Sequence, residues 1–265
     1  MSDQNNALRR YSRQLTIEGW GKDAQRRLGQ MTAFIAGAGG LGSPVLLYLA
    51  AAGVGTLRIC DCDRVDITNL NRQIIHSGQS IGVNKAESAC AAIRQLNPGV
   101  KAIPLTERIV PGNAERLVAG SDIIIDCLDN FKARHVLNRL SVKGSIPFVH
   151  AGVTEFHGQL GFFHPPETPC LACFYPRNPA KKSLPIAGAT AGVIGALQAM
   201  EAIKALTGIG ETLKNRILFF EGREMRFTTM AVSKNPKCRV CGGSERPSGH
   251  SRGSGCGRKG LTDSL

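Results

Sequence analysis

Two cysteine pairs, Cys170-Leu171-Ala172-Cys173 and Cys238-Arg239-Val240-Cys241, share the CxxC spacing and lie roughly 65 residues apart. Four thiolates in two knuckles suit one tetrahedral Zn2+. With every ligand position filled by protein the metal would be structural, and it would staple two distant segments. Two unrelated reduced pairs, or a redox pair, are the alternatives. A second constellation is built on glycine. Gly37-Ala38-Gly39-Gly40-Leu41-Gly42 follows a short apolar run and opens a long apolar stretch. Glycines there allow a tight turn, and a helix N-terminus offers unpaired N–H groups to phosphate. Asp61 lies nineteen residues beyond Gly42, where an acidic residue holds ribose hydroxyls in dinucleotide-binding folds. To this point NAD and ATP fit equally well, and a purely structural turn stays open.

The residues that follow favour a triphosphate. Asp61-Cys62-Asp63-Arg64-Val65-Asp66 leads into Asn69-Leu70-Asn71-Arg72-Gln73, Lys85 opens the next helical stretch, and Asp126-Cys127-Leu128-Asp129-Asn130 ends another apolar run. Arg and Lys complement phosphate, and a carboxylate at a strand end can hold Mg2+. Hydride transfer needs neither.

The elements that must position these groups follow from apolar patterning. Residues 32–36, 56–60 and 122–126 read as buried strands, and 100–105 and 146–150 as two more. Residues 84–96, 112–119 and 131–143 read as helices, the first stopped by Asn97-Pro98-Gly99. Residues 7–30 are helix-like with a break at Glu18-Gly19-Trp20-Gly21. Strand alternating with helix predicts an α/β, doubly wound, largely parallel Rossmann-like sheet. Beyond Gly152 the rhythm changes to an antiparallel strand at 159–163, a helix at 192–206 and a hairpin over 217–232 around Gly222. The expected organisation is an N-terminal helical segment at 1–30, a nucleotide-binding region at 31–152, and a zinc-stapled region of the same domain at 153–243. A Gly/Ser/Arg tail at 244–265 is expected to be disordered.

Composition narrows the class. The 265 residues are 42% hydrophobic and 20% charged, which reads as globular. Residues 1–6 lack a basic stretch followed by an apolar one, so no signal peptide is expected. The longest apolar run, at 43–57, is too short for a membrane span. A leaderless chain with nine cysteines points to reduced thiols or metal in the cytoplasm, not to disulfides. Cys60, Cys62, Cys90 and Cys127 read as packing residues, and Cys256 falls in the tail. The net charge of +13 comes with only 5% aromatic residues and no basic stripe. That reads as a solvated surface, or one suited to an anionic partner such as ATP with an acidic protein, and not as a nucleic-acid binder.

Taken together the motifs resemble the MoeB/ThiF/HesA family of adenylyltransferases, relatives of the ubiquitin-activating enzymes. The matching pieces are Arg10-Tyr11-Ser12-Arg13-Gln14, the glycine turn, residues 69–73, Lys85, residues 126–130, both CxxC pairs, and Gly195-Ala196-Leu197-Gln198-Ala199-Met200-Glu201. They cover about residues 7–243. The resemblance implies that Gly37, Gly39, Gly40, Gly42, Asp61, Asp63, Asn69, Arg72, Gln73 and Lys85 bind ATP. Asp61 would hold the ribose, Asn69, Arg72 and Lys85 the phosphates, and Asp129 the Mg2+. Arg13 would reach the nucleotide of a neighbouring subunit in a homodimer. It also implies that residues 153–243 receive a small ubiquitin-fold sulfur carrier of MoaD or ThiS type ending in Gly-Gly. The carrier's carboxylate would attack the α-phosphate, giving an acyl-adenylate and pyrophosphate.

One departure from the family pattern has a chemical consequence. Many relatives carry an acceptor cysteine between the first CxxC pair and the late helix, but residues 174–191 hold none. Lys181, Lys182 and Ser183 stand there instead, and a lysine titrating near pH 10.4 is a poor substitute for a thiol. Covalent sulfur handling is therefore not expected, with Cys256 the one substitute in reach. The rival readings are a tRNA-adenylating dehydratase of the same superfamily, a non-catalytic carrier-binding scaffold, and an NAD-dependent dehydrogenase.

Overall fold

Strands that are apolar along their whole length need cover on both faces, and the chain provides two helical layers. The computed structural model describes residues 8–176 and 185–242. Lys181, Lys182, Ser183, Cys256 and the 244–265 tail lie outside the described residues. Two short helices, α1 (Ser12–Leu15) and α2 (Gly21–Leu28), flank the expected break. There follow β1 (Thr32–Ala36), α3 (Gly42–Ala52), β2 (Thr56–Cys60), α4 (Lys85–Leu96), β3 (Lys101–Leu105), α5 (Ala114–Val118) and β4 (Ile123–Asp126). Next come α6 (Phe131–Gly144), β5 (Phe148–Thr154), β6 (His157–Phe163), α7 (Leu171–Phe174), α8 (Gly188–Thr207), β7 (Arg216–Glu221) and β8 (Arg226–Ala231).

All eight strands form one sheet in the order β3-β2-β1-β4-β5-β6-β7-β8. The first five in that order pair in parallel, and β6, β7 and β8 are added antiparallel. This is the expected α/β architecture. Alternation along each strand divides the core into two layers. Ala33, Ile35, Ile123 and Ile125 pack with α3, α4 and α8. Phe34, Ala36, Ile124 and Phe148 pack with α5, α6 and α7. Among the described residues no helix is long and apolar enough to cross a membrane.

Two boundaries differ most from the sequence expectation, by four residues each. Helix α8 begins at Gly188, four residues earlier than patterning suggests, because tertiary contacts outweigh the low helix propensity of its glycines. Gly188 sits so close to the Asn71 carbonyl that a Cβ would collide with it, and the Thr190 hydroxyl donates to the Glu155 carbonyl at 3.0 Å. Strand β5 runs on past His150 to Thr154, since Ala151 through Thr154 continue the ladder with Leu160 through His157. The order in which strands are added reverses between β1 and β4, and ligands bind outside the carboxyl ends of strands at such a switch point.

Candidate active site

The loops leaving β1, β2 and β4 enclose a cleft of about 980 Å3 at that switch point. The turn after β1 is shaped by its first glycine. Gly37 has φ +97°, and a Cβ there would come within 2.8 Å of the Cys127 carbonyl, so β4 can approach only a glycine. The N–H of Gly37 donates to the Cys60 carbonyl. The N–H groups of Gly39 and Gly40 find no protein acceptor among the described residues. They form the kind of donor cradle that phosphate fits. Buried His76 braces the turn from behind. Its Nε2–H donates to the Ala38 carbonyl at 2.9 Å and its Nδ1 accepts from the Ser88 hydroxyl. Burial holds this imidazole below its ordinary pKa.

Asp61 stands opposite. One carboxylate oxygen accepts from the Ala38 N–H at 2.8 Å and the other from the Asp63 N–H at 2.9 Å. Each oxygen keeps a second lone pair for a ligand. Asn84 caps α4 by accepting from Ala86 and Glu87, and its amide donates to the carbonyls of Asp61 and Asp63. That fixes Lys85, the first residue of the helix, with Nζ 3.4 Å from an Asp63 oxygen. Arg72 lies along Gly40 and donates to the Thr68 carbonyl at 2.9 Å. Gln73 is buried beside Gly39, and its Oε1 has no partner among the described residues.

The third wall follows β4. Asp129 is exposed to the cleft, and Asn130 caps α6 by accepting from the Ala133 N–H at 3.0 Å. Beneath it lies a network that sequence patterning did not reveal. Asp126 is fully buried, 2.6 Å from Nδ1 of His150 and 3.2 Å from Nε of Arg134. Its other oxygen accepts from the Leu128 N–H at 3.0 Å. Arg134 in turn donates to the Leu128 and Ala151 carbonyls, and Gln198 donates to the carbonyls of Asp126 and Val149. Burial, with Arg134 adding to it, holds His150 below its ordinary pKa, so a neutral imidazole donates to Asp126. The network fixes the turn that carries Asp129.

The cleft thus gathers Gly37, Gly39, Gly40, Asp61, Asp63, Arg72, Gln73, Lys85 and Asp129. Gly42 serves the turn from outside, where a Cβ would strike the Gly37 carbonyl. Asn69 is absent from the lining and is engaged with the backbone N–H of Asp66 in a reciprocal cap. Arg13, on α1, is exposed and does not reach the cleft of its own chain. Cys60, Cys90 and Cys127 are buried, as packing residues should be. Cys62, expected to be one of them, is only half-buried, on the cleft wall two residues past the end of β2. Burial raises the Cys60 thiol to about 12, and burial together with the Asp63 carboxylate raises that of Cys62. Neither is a ready nucleophile.

The two CxxC pairs meet at one point. Cys170 and Cys238 lie 3.7 Å apart at sulfur, Cys173 and Cys241 3.4 Å, and all four sulfurs fall within 4.8 Å of one another. Tetrahedral zinc with Zn–S near 2.3 Å would place its sulfurs about 3.8 Å apart. The cluster fits that ion. Burial raises Cys238, but the backbone N–H groups of Cys241 and Val240 with the neighbouring thiols outweigh it and bring the group down to about 7.

A profile of the ThiF family matches residues 11–240. The chain belongs to the ThiF family. It is 40% identical over 241 residues to the SAMP-activating enzyme E1 of Haloferax volcanii, covering 89% of each. It is 36% identical over 246 residues to a sulfur carrier protein adenylyltransferase of Thermus thermophilus, covering 89% of this chain and 91% of that one. Bovine (Bos taurus) adenylyltransferase and sulfurtransferase MOCS3 is 38% identical over 247 residues, and this ThiF-family chain spans 54% of its length. Among solved structures, Escherichia coli MccB with MccA-N7isoASN superposes with a TM-score of 0.80 at 23% identity, covering 89% of this chain and 75% of that one. That likeness is one of fold.

Proposed function

We propose that this chain uses ATP to adenylate the C-terminal carboxylate of a ubiquitin-like sulfur-carrier protein. The observation that carries the reading is the convergence of Asp61, Arg72, Lys85 and Asp129, from four separate segments, on one cleft closed by a glycine turn. The names of the relatives support it, being those of carrier-activating and adenylylating enzymes.

In this reading the free N–H groups of the glycine turn hold the phosphates, Asp61 holds the ribose, and Arg72 and Lys85 face the charge that develops on the phosphates. A carboxylate oxygen of the carrier attacks the α-phosphorus, the bond to the bridging oxygen breaks, and pyrophosphate leaves. Positioning and charge neutralisation are sufficient for this step, and no protein nucleophile enters it. Mg2+, held by Asp129 together with substrate phosphates, supplies further charge neutralisation when bound. The carrier tail enters through a second cavity of about 300 Å3 that shares Arg134 and Val153 with the main cleft. Its end must be narrow, which suits Gly-Gly. Arg13 serves the cleft of a second subunit in a homodimer, a reading supported by its exposure away from its own. Zinc in the cysteine cluster is structural, since four thiolates leave no open position.

Purified protein should exchange pyrophosphate into ATP only when a carrier ending in Gly-Gly is present, and Asp129→Ala should abolish the exchange. Undiminished exchange in Asp129→Ala would show that the metal carboxylate lies elsewhere. The reaction stops at the acyl-adenylate, because residues 174–191 hold no acceptor cysteine and burial keeps the cleft thiols Cys60, Cys62 and Cys127 protonated. Intact mass after incubation with carrier and Mg-ATP should reveal no enzyme–carrier adduct.

A further inference from the structure

Helix α6 touches both sites, and it does so along one stripe. Residues 130, 134 and 138 are four apart and therefore share a face. Asn130 caps the helix beside Asp129 at the cleft. Arg134, one turn on, donates to the Leu128 and Ala151 carbonyls and stands 3.2 Å from Asp126. Asn138, one turn further, is 1% exposed, and its amide is divided between two atoms of the first cysteine knuckle. Its Nδ2 donates to Cys170 Sγ at 3.6 Å, and its Oδ1 accepts from the Leu171 N–H at 2.8 Å. The neighbouring stripe of the same helix, with Lys132, His135 and Arg139, forms a wall of the cleft. One rigid element about 12 Å long from residue 130 to residue 138 thus has the nucleotide site at one end and the cysteine cluster at the other.

We propose that Asn138 is a positioning residue that couples the two sites. It orients the Cys170 thiolate from the second ligand sphere, and through it the closed knuckle holds α6 against the cleft. The inference rests on the reading that the cleft takes ATP and the cysteines take zinc. A buried amide is costly unless both its ends are bonded, and here its bonds go to the metal ligand and the residue after it. A thiolate that accepts a fixed N–H is oriented by it, and second-sphere partners of this kind are worth about 10- to 100-fold in metal affinity. Coupling carried by the shared α6 is reciprocal, so in this proposal zinc and nucleotide strengthen each other by one common factor.

The test follows zinc transfer from the full chain to a chelating indicator, with and without a saturating non-hydrolysable ATP analogue. The analogue should slow zinc loss several-fold, and zinc-stripped protein should bind the analogue correspondingly less tightly. Asn138→Asp is nearly isosteric and still accepts from Leu171, but it has no N–H for Cys170. It should weaken zinc by about 10- to 100-fold and remove the effect of the analogue. Asn138→Ala should do the same if it folds. Zinc loss from the parent chain that ignores the analogue would overturn the coupling, as would parental zinc affinity in Asn138→Asp. A parent chain that binds no zinc or no ATP would overturn the underlying reading, and the coupling with it.

Discussion

Removing the Asp126 carboxylate should be among the most damaging single changes available to this chain. Asp126 and the side chain of Arg134 are 0% and 7% exposed, so Asp126→Ala strands a guanidinium that is largely withdrawn from water. Breaking a buried pair in this way costs about 3–5 kcal/mol. The Leu128 N–H, which loses its acceptor, adds about 1 kcal/mol or more. A loss of about 4–6 kcal/mol should lower the melting temperature by roughly 8–24 °C in a chain of this size. The exposed pair between Lys143 and Glu115, 68% and 72% exposed, provides the control. Glu115→Ala should move stability by no more than about 1 kcal/mol. Urea unfolding of Asp126→Ala, Arg134→Met and the double variant would measure the interaction directly. The double variant should be more stable than the sum of the single losses predicts, by about 2 kcal/mol. Strict additivity, or an Asp126→Ala chain within 1 kcal/mol of the parent, would refute the claim that this pair anchors the turn.

Gly37→Ala should cost at least about 1–2 kcal/mol from the left-handed backbone alone and weaken ATP binding, which calorimetric titration would register. Elemental analysis should find one zinc per chain, and Cys238→Ser should make residues 216–242 exchange amide hydrogens faster while β1 through β4 stay protected. Stability should fall as the solution is acidified below about pH 6.5, the ordinary histidine pKa. Burial keeps His76 and His150 neutral in the folded chain, so the unfolded chain binds more protons in that window and stability rises with pH through it. A urea midpoint that does not change between pH 7.5 and pH 5.5 would contradict this.

Much of the fold could be read from local pattern because its strands are short and, from β1 to β4, each is followed by a helix. The glycine turn, Asp61 and the 126–130 segment were legible for the same reason, since each sits at the end of a strand that announces itself, and Lys85 was legible because it opens a helix. The Asp126–His150–Arg134 network was not. Its members lie on β4, β5 and α6, and only the parallel pairing of Asp126 with His150 brings the first two together. No spacing along the chain encodes that pairing. Asn138 was hidden in the same way, because a buried amide in an amphipathic helix looks like any surface polar residue until its partner, 32 residues away, is known. The start of α8 was missed because glycine punctuates loops in most contexts, and close approach to Asn71 is invisible in one dimension. Cys62 was misplaced because an apolar neighbourhood in sequence became the rim of a cleft in space.

The antiparallel extension of the sheet has a consequence for how the protein is made. Strand β6 is covered on its outer edge only by β7, and roughly sixty residues separate the end of one from the end of the other. At about 5–20 residues per second on the ribosome, that edge stands open for something like 3–12 seconds after the parallel half of the sheet can have formed. It carries Leu160, Phe162 and Phe163, an apolar row with unpaired backbone groups of the kind that recruits other chains. The nascent protein is therefore most vulnerable to aggregation late in synthesis, when most of its core is already complete.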